Sequence, residues 1–341
     1  MAQHFLLSPA ASSLSMRDIY RMTEDDAYEM FKSIKWPDGI PTCPECGCKE
    51  SWTLVENRKW KCKGAIKNEI TGETSKCYLQ YTVTSRTPLA SRKRSFCDIL
   101  AAIATFVSGV LGTAALRLKR EFKNSYKTPF VFGHKIRESM KIDYDQTLEG
   151  VVEIDGLFVG SKKMKPPFPI TNEADLEKFY DIYRKKTTSL VVVRERPSAD
   201  GTETGRIRVT HRKNEAAAVG FIKSVLKPGT IVHADYGSQW ERLNLHFPMM
   251  RVNHSKTYVQ DGACTNWAES FFSRVRAAER GVYRYWWERY AEQYGVELAW
   301  REENRFVDNG QQIRMLVECL MRSGRSTFAG YWQRHKSKFP F

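Results

Sequence analysis

The sequence lacks a long hydrophobic run. Its longest uncharged stretch, residues 99–116, has eighteen residues and includes Thr105, Ser108 and two glycines. A membrane-spanning helix needs about 20 predominantly apolar residues, so buried helices of a small helical domain are the better interpretation. At the N-terminus only residues 5–7 form an apolar segment, which is too short for the core of a signal peptide. We therefore expect a cytoplasmic protein with no membrane partner.

The sequence also lacks an excess of acid. Its 39 Asp and Glu residues are outnumbered by 54 Lys and Arg, which gives a formal net charge of +15. Basic side chains gain affinity for a polyanion by releasing its condensed counterions, so nucleic acid is the first partner to expect. A ribosome-associated or membrane-surface protein would also fit this charge. The 42% apolar fraction is enough for a sizeable core, and 341 residues allow one large domain or two to three small ones.

Cysteine is sparse except in one region, where five of the eight lie within residues 43–77. In a reducing cytoplasm such a cluster indicates metal binding rather than disulfides. The segment from Cys43 to Cys48 resembles a zinc knuckle, in which a CxxC turn closed by Gly presents two thiolates to one ion. We predict a zinc ribbon with one structural Zn²⁺ held by Cys43, Cys46, Cys62 and Cys77, and Cys48 could substitute in either pair. Unpaired buried cysteines are the alternative.

Residues 95–140 carry the pattern of three helices. The first has an apolar stripe from Phe96 to Val107 at i, i+3, i+4 spacing. Helices over about 113–122 and 125–140 follow, and Pro129 fits the first turn of the third. Two helices across a tight turn, the second carrying basic residues, resemble a helix-turn-helix. Those basic residues are Lys127, His134, Lys135 and Arg137. A plain helical bundle is the alternative.

Beyond residue 146 strands and helices alternate. The strand over 151–160 places Glu153 and Asp155 on one face, an unusual pair for a core strand because the two carboxylates repel unless a cation compensates them. A basic insertion broken by prolines follows at 161–186. The pattern then predicts strands over 188–194, 206–210, 230–235 and 249–253 and a helix over 214–226. Asp235 stands at the end of the apolar strand 230–235.

The last informative element is a helix predicted over 266–280. At 100° per residue its apolar face carries Trp267, Phe271, Val275 and Ala278. The opposite face carries Glu269, Ser273, Arg276 and Arg280. A solvated face with a weak ion ladder would explain this stripe by itself, but here it follows two other acids, one inside a strand and one at a strand end.

The order Asp155, Asp235, Glu269 resembles the acidic triad of DDE transposases and retroviral integrases, which have the ribonuclease H-like fold. The similarity is closer to the ISXO-like group of insertion-sequence transposases, which have an N-terminal zinc ribbon. The segments that carry it, in the family's order, are residues 36–48, 153–160, 253–255 and 265–273. Gly156 departs from relatives that often have a second acid there, and Arg276 stands where they often have Lys.

This resemblance implies an α/β fold class: a ribonuclease H-like catalytic domain, with a mixed sheet flanked by helices, preceded by a zinc ribbon and a small helix-turn-helix-like region. The expected organisation is an N-terminal segment (1–35), the ribbon (36–90), a helical DNA-binding region (91–145), the DDE catalytic domain (146–310, with the basic insertion at 161–186) and a C-terminal helix and tail (311–341).

For the site, the resemblance implies two Mg²⁺ (or Mn²⁺) ions, which prefer oxygen ligands. Asp155 would bridge both ions, and Asp235 and Glu269 would each complete one. DNA phosphates would be held beside the metals by Arg276, Arg280 and Arg284. Three further candidate residues for this site are Glu153, His254 and Asn266, the last as the fallback for Glu269. Cys48 is a further candidate ligand for the zinc ion.

The implied function is a DNA transposase that cleaves the ends of its own insertion sequence and joins them to target DNA. Its partner would be double-stranded DNA of the element ends and the target, bound by a homo-oligomer in a bacterial or archaeal cytoplasm. Two alternatives remain: a transposase-derived DNA-binding regulator without cleavage activity, and a ribonuclease H-like structure-selective nuclease. The nuclease would differ from a transposase only in its products.

Overall fold

A computed structural model describes residues 5–54, 58–159, 168–186, 188–198, 204–252, 264–283, 286 and 288–331. Two compact units make up the chain. One comprises Met1–Gly109, Ala115–Ile142 and Val307–Phe341, and the other comprises Val110–Ala114 and Asp143–Phe306. Within the described residues, every helix is too short or too polar to span a bilayer.

The helices are, in chain order, α1 (Met16–Arg21), α2 (Glu24–Lys35), α3 (Phe96–Val107), α4 (Ala115–Glu121), α5 (Lys127–Ser139), α6 (Glu173–Lys186), α7 (Val219–Val225), α8 (Asn266–Ala278), α9 (Glu288–Glu303) and α10 (Asn309–Arg322). The strands are β1 (Ser51–Leu54), β2 (Lys59–Cys62), β3 (Ala65–Lys67), β4 (Thr74–Lys76), β5 (Gln80–Tyr81), β6 (Val151–Val159), β7 (Thr188–Glu195), β8 (Ile207–Arg212), β9 (Ile231–Asp235) and β10 (Met249–Val252). Short 3-10 turns precede α7 (Glu215–Ala218) and follow β9 (Ser238–Leu245), and a π-helical turn (Glu279–Tyr283) follows α8.

In the first unit α3 is the central helix and contacts α1, α2 and α10. It begins after Ser95, whose hydroxyl accepts a hydrogen bond from the N–H of Asp98 at 3.0 Å, as an N-cap should. Its apolar residues are buried, and Phe96 packs on Phe31 with ring centroids 5.0 Å apart. The predicted helices at 95–140 are confirmed as α3, α4 and α5, with Pro129 in the first turn of α5.

Two of the basic residues expected to mark a DNA-reading helix are buried. His134 stacks on Phe328 at 4.9 Å, and the guanidinium of Arg137 lies 5.4 Å from the ring centroid of Phe106. Two of the four predicted basic residues therefore lie on the packed face of α5. This arrangement favours the helical-bundle alternative for these residues over a recognition helix.

The ribbon in the first unit consists of a three-stranded sheet in the order β1-β2-β5 and a hairpin of β3 and β4. All of its pairings are antiparallel. The hairpin lies between Cys62 and Cys77 in the chain, and these two cysteines remain close to each other. Trp36, Trp60 and Tyr81 form its aromatic core.

The second unit is built on a five-stranded mixed sheet in the order β10-β9-β6-β7-β8. Strands β6, β7 and β8 are antiparallel to one another, whereas β9 pairs with β6 and β10 in parallel. One face packs against α8 and α9 through residues such as Leu157 and Val192. The other face packs against α7 and Trp240 through residues such as Val152 and Ile154. The predicted strands are thus confirmed, in a helix–sheet–helix arrangement.

Three details of the sequence interpretation need correction. The predicted insertion at 161–186 includes a regular helix, α6, while residues 160–167 lie outside the described part. The predicted helix 266–280 ends as an α-helix at Ala278, and Arg280 lies in the π-helical turn. Trp267, assigned to the apolar face, is 37% exposed because it lies in the first turn of α8, before the buried set that begins at Ala268.

Candidate functional site

The four cysteines predicted as zinc ligands meet in the ribbon. Their sulfur atoms all lie within 4.8 Å of one another. The separations are 3.4 Å for Cys46 and Cys62 and 3.8 Å for Cys43 and Cys77. A tetrahedron with Zn–S bonds of about 2.3 Å has edges of about 3.8 Å, so the donor set fits one zinc ion.

The knuckle geometry explains why the CxxC turn can present two thiols to one point. The N–H of Gly47 donates to the carbonyl of Cys43 at 3.0 Å, and the N–H of Cys43 donates to the carbonyl of Cys48 at 2.9 Å. Gly47 has φ +71°, a left-handed conformation that favours glycine. Cys48, the spare candidate, accepts the N–H of Glu50 on its sulfur at 3.4 Å and is outside the four-sulfur cluster.

In the second unit the sheet brings Asp155 and Asp235 together. The parallel register pairs Glu153 with His233 and Ile154 with Ala234, so the next residues along are the two aspartates. Neighbouring strands lie about 4.8 Å apart, which places the two carboxylates side by side where β9 ends. Two acids that are 80 positions apart in sequence therefore lie side by side on neighbouring strands.

The pKa of Asp155 is raised in this arrangement. Burial raises the pKa of Asp155 to about 7, and the carboxylates of Asp235, Glu215 and Glu269 add to the rise. The N–H of Gly156, which donates to Asp155 Oδ1 at 2.7 Å, opposes it by favouring the charged form. A carboxyl group so placed ionises readily at neutral pH only if a cation compensates the neighbouring negative charges.

Asp235 is oriented by the 3-10 turn that follows it. The indole Nε1–H of the buried Trp240 donates to Asp235 Oδ1 at 2.6 Å. Gln239 Nε2 donates to the same oxygen at 3.4 Å. Both donors fix the direction of the Asp235 carboxylate.

Glu215 is the site residue that the sequence interpretation missed. It begins the turn Glu215–Ala218, and its carboxylate lies over Gly156, where a Cβ atom would overlap it. Burial raises the pKa of Glu215, the Asp235 carboxylate adds to the rise, and a hydrogen bond with Gln239 opposes it. The signal available in the sequence was Gly156 itself, since a glycine inside a strand often marks the close approach of another group.

Glu153 lies on β6 two residues before Asp155, and its contacts hold elements of the site together. It is fully buried, and its Oε2 accepts the N–H groups of Trp267 at 2.8 Å and Ala268 at 3.1 Å in the first turn of α8. Its Oε1 accepts a hydrogen bond from Arg196 Nε at 3.2 Å. The positive end of the helix and the guanidinium thus compensate Glu153, which ties β6 to α8.

His233 is the residue of β9 that pairs with Glu153. Burial lowers the pKa of His233 and the neighbouring Arg196 adds to the effect, so the ring is neutral at pH 7. Its Nδ1 lies 2.9 Å from Arg196 Nη2 and accepts the N–H of Cys264 at 3.2 Å. These contacts make His233 a packing residue of the sheet.

Glu269 lies in the first turn of α8, beside the acids of the sheet. It is half-buried, and Thr265 donates to its Oε1 at 3.4 Å. The fallback residue, Asn266, is exposed at the start of the same helix, and Arg276 and Arg280 are exposed farther along. Two other candidates, His254 and Arg284, lie outside the described residues.

The carboxylates are more widely spaced than the cysteines. Among the described residues, the cysteine cluster is the only group of three or more candidate ligands whose donor atoms all lie within 4.8 Å of one another. Two ions about 3.5–4 Å apart, each with oxygen ligands at about 2.1 Å, place ligands on opposite sides of the pair up to about 8 Å apart. A two-ion site therefore does not need all of its carboxylates within 4.8 Å of one another.

Comparison with known protein families gives two matches, one in the unit with the mixed sheet and one that includes part of the ribbon. Residues 147–303 match the ISXO2-like transposase domain, a DDE domain of the IS1595 family, and this segment contains Asp155, Glu215, Asp235 and Glu269. Residues 22–64 match the transposase zinc-ribbon domain of the same family. A search of curated proteins found no match. With both domains present in the family's order, the chain belongs to the zinc-ribbon DDE transposases of the IS1595 (ISXO2-like) family.

Proposed function

We propose that this transposase cleaves the ends of its own insertion sequence and joins them to target DNA by metal-dependent phosphoryl transfer. Asp155, Asp235 and Glu269 are the catalytic acids. The observation that carries the proposal is the register of β6 and β9, which puts Asp155 beside Asp235 within the segment that matches the DDE domain. The mixed sheet flanked by helices supports a ribonuclease H-like fold for this unit.

The acids fit a pair of Mg²⁺ or Mn²⁺ ions. Burial and, to a smaller extent, the neighbouring carboxylates raise the pKa of Asp155, and divalent cations would compensate its charge there. Such ions, when bound, activate the attacking oxygen and neutralise charge on the leaving group. Asp155 would contact both ions, and Asp235 and Glu269 would each contact one.

The chain's own residues would hold the acids and the DNA. Trp240 fixes the Asp235 carboxylate, and Glu153 holds the first turn of α8, from which Glu269 projects. The exposed guanidinium groups of Arg276 and Arg280 can contact DNA phosphates beside the acids. Arg284 is proposed for the same role from the sequence alone.

The ribbon would supply a second DNA contact. Trp52 and Tyr78 are 46% and 51% exposed and stack with centroids 6.4 Å apart. The ammonium of Lys61 lies 5.0 Å from the Tyr78 ring centroid, and that of Lys63 lies 5.2 Å from the Trp52 centroid. Exposed aromatic rings with cations attached suit a nucleic acid surface. Zn²⁺ held by Cys43, Cys46, Cys62 and Cys77 would keep this surface folded, and two element ends would require a homo-oligomer.

The test is a cleavage and joining assay with Mg²⁺ on DNA that flanks the gene. Asp155→Ala, Asp235→Ala and Glu269→Ala should each abolish nicking at the element boundary and joining to target. Glu173→Ala, an exposed acid on α6, is the matched control and should behave as wild type. An Asn266→Ala arm decides the third ligand, since activity lost there but retained in Glu269→Ala would transfer the role to Asn266.

Each alternative function has its own outcome in this assay. Wild-type protein that binds the element end without cleaving it would identify a DNA-binding regulator. Cleavage without joining, on branched DNA unrelated to the element, would identify a structure-selective nuclease.

A further inference from the structure

Residue 156 is a glycine in the middle of β6, and another side chain occupies the space that its own would take. A Cβ atom there would overlap the Oε1, Cδ and Cγ atoms of Glu215. Gly156 directly follows Asp155 and donates its N–H to that carboxylate at 2.7 Å. The Glu215 carboxylate therefore lies against residue 156 only because that residue has no side chain.

The chain also fixes Glu215 in this position. Asn214 caps the turn that Glu215 begins, accepting the N–H of Ala217 at 3.0 Å. Gln239 hydrogen-bonds both Glu215 and Asp235, so one amide links the two acids. Glu215 thus enters the site by a different element from each member of the triad.

The Glu215 side chain is directed into the protein although solvent is close to it. Ala216 and Ala217, the next residues of the turn, are exposed, so water is within reach of a flexible Glu side chain at 215. Instead its side chain is half-buried over Gly156, within electrostatic reach of Asp155 and Asp235. A carboxylate held among like charges is unfavourable unless a cation binds there.

We propose that Glu215 is a fourth carboxylate ligand of the divalent metal ions and that residue 156 is glycine to admit it. This inference rests on the proposed function, since it adds a ligand to the same site. Mg²⁺ takes six oxygen ligands, so a two-ion site has room for a fourth carboxylate besides water and DNA.

The first experiment measures binding of Mn²⁺ alone to the full-length protein, by electron paramagnetic resonance of free Mn²⁺ and by calorimetry. Glu215→Gln, which keeps the shape of the side chain, should weaken the affinity of at least one ion by about tenfold or more. Asp155→Asn should do the same or abolish binding, and Glu173→Gln should change nothing.

The second experiment leaves every acid in place. Gly156→Ala puts a methyl group where the Glu215 carboxylate lies, and the side chain must move aside. We expect Mn²⁺ affinity to fall by a similar factor, and we expect little further loss when Gly156→Ala is added to Glu215→Ala. This non-additivity would show that the two residues act through one contact. Circular dichroism establishes that each variant is folded.

The outcomes separate this inference from the proposed function. If Asp155→Asn weakens binding but Glu215→Gln does not, or if Glu215→Gln tightens it, Glu215 is not a ligand and the triad stands. If none of the variants changes Mn²⁺ binding, the metal site fails and the fourth ligand fails with it. Additive losses in the Gly156 and Glu215 variants would overturn the explanation given for the glycine.

Discussion

Asp155 combines the strongest electrostatic strain in the candidate site with a central place in its proposed chemistry. Burial and three neighbouring carboxylates raise its pKa to about 7 from an ordinary value of 3.8. The folded metal-free protein therefore binds a proton there more tightly than the unfolded chain does. The resulting contribution to stability is present below pH 4 and is lost as the pH rises through 7.

Asp155→Asn should consequently stabilise the metal-free protein at high pH. The amide is neutral at every pH and can still accept the Gly156 N–H. At pH 8 we expect a gain of about 1–3 kcal/mol in the free energy of unfolding, disappearing near pH 4. Chemical denaturation in the presence of EDTA measures it. A gain of equal size at both pH values would show that Asp155 is not strained by its charge.

Residue by residue, the sequence predicted the acids that spacing within one element or an apolar strand end can reveal. These patterns drew attention to Asp155, Asp235 and Glu269, and the resemblance to DDE transposases gave them their proposed role. Glu215 was not, because its place over Gly156 depends on the folding of a separate turn onto β6, and no local pattern encodes that approach. Glu153 was found for its place on the face of Asp155, but only the packing of α8 shows that it caps a helix.

At the scale of elements, the contact between β6 and α8 determines where Glu269 lies. Glu153 accepts two N–H groups of the first turn of α8, at the residues that directly precede Glu269. We expect Glu153→Gln to destabilise the protein by about 3–5 kcal/mol, as breaking a buried charged pair does. It should also weaken Mn²⁺ binding about tenfold in protein that is still folded, because Glu269 loses its support.

Glu297→Gln provides the matched control for this prediction. Glu297 is as buried as Glu153 and pairs with Arg301 at 2.9 Å, but it lies on α9. It should cost comparable stability and leave Mn²⁺ affinity unchanged. Equal effects of the two variants on affinity would mean that general loosening, rather than the Glu153 cap, is responsible.

Elements were predictable where the hydrophobic period was regular. The five strands of the second unit and the helices α3, α5 and α8 follow such patterns. Helix α6 was hidden by the preceding prolines and lysines, which suggested an irregular insertion. The π-helical turn after Ala278 was also missed, because a single added residue per turn barely alters an apolar stripe of this length.

At the scale of the whole molecule, the chain has two units with separate cores and a different proposed metal in each. The Cys₄ cluster belongs to the unit with the ribbon, and the acids belong to the unit with the mixed sheet. Metal that binds only folded protein stabilises the unit that binds it. Calorimetry of the full chain should therefore show two transitions that respond to different metals.

Removing zinc should lower one of these transitions by about 10 °C or more, because a ribbon of short strands has little other core. Adding Mn²⁺ should raise the other transition and leave the first unchanged. Cys62→Ser should reproduce zinc removal, whereas Cys48→Ser should not, since the Cys48 sulfur lies outside the cluster. If Cys48→Ser lowers the zinc-dependent transition and Cys77→Ser does not, the second pair of ligands is wrong, and the β3–β4 hairpin no longer carries a ligand at its end.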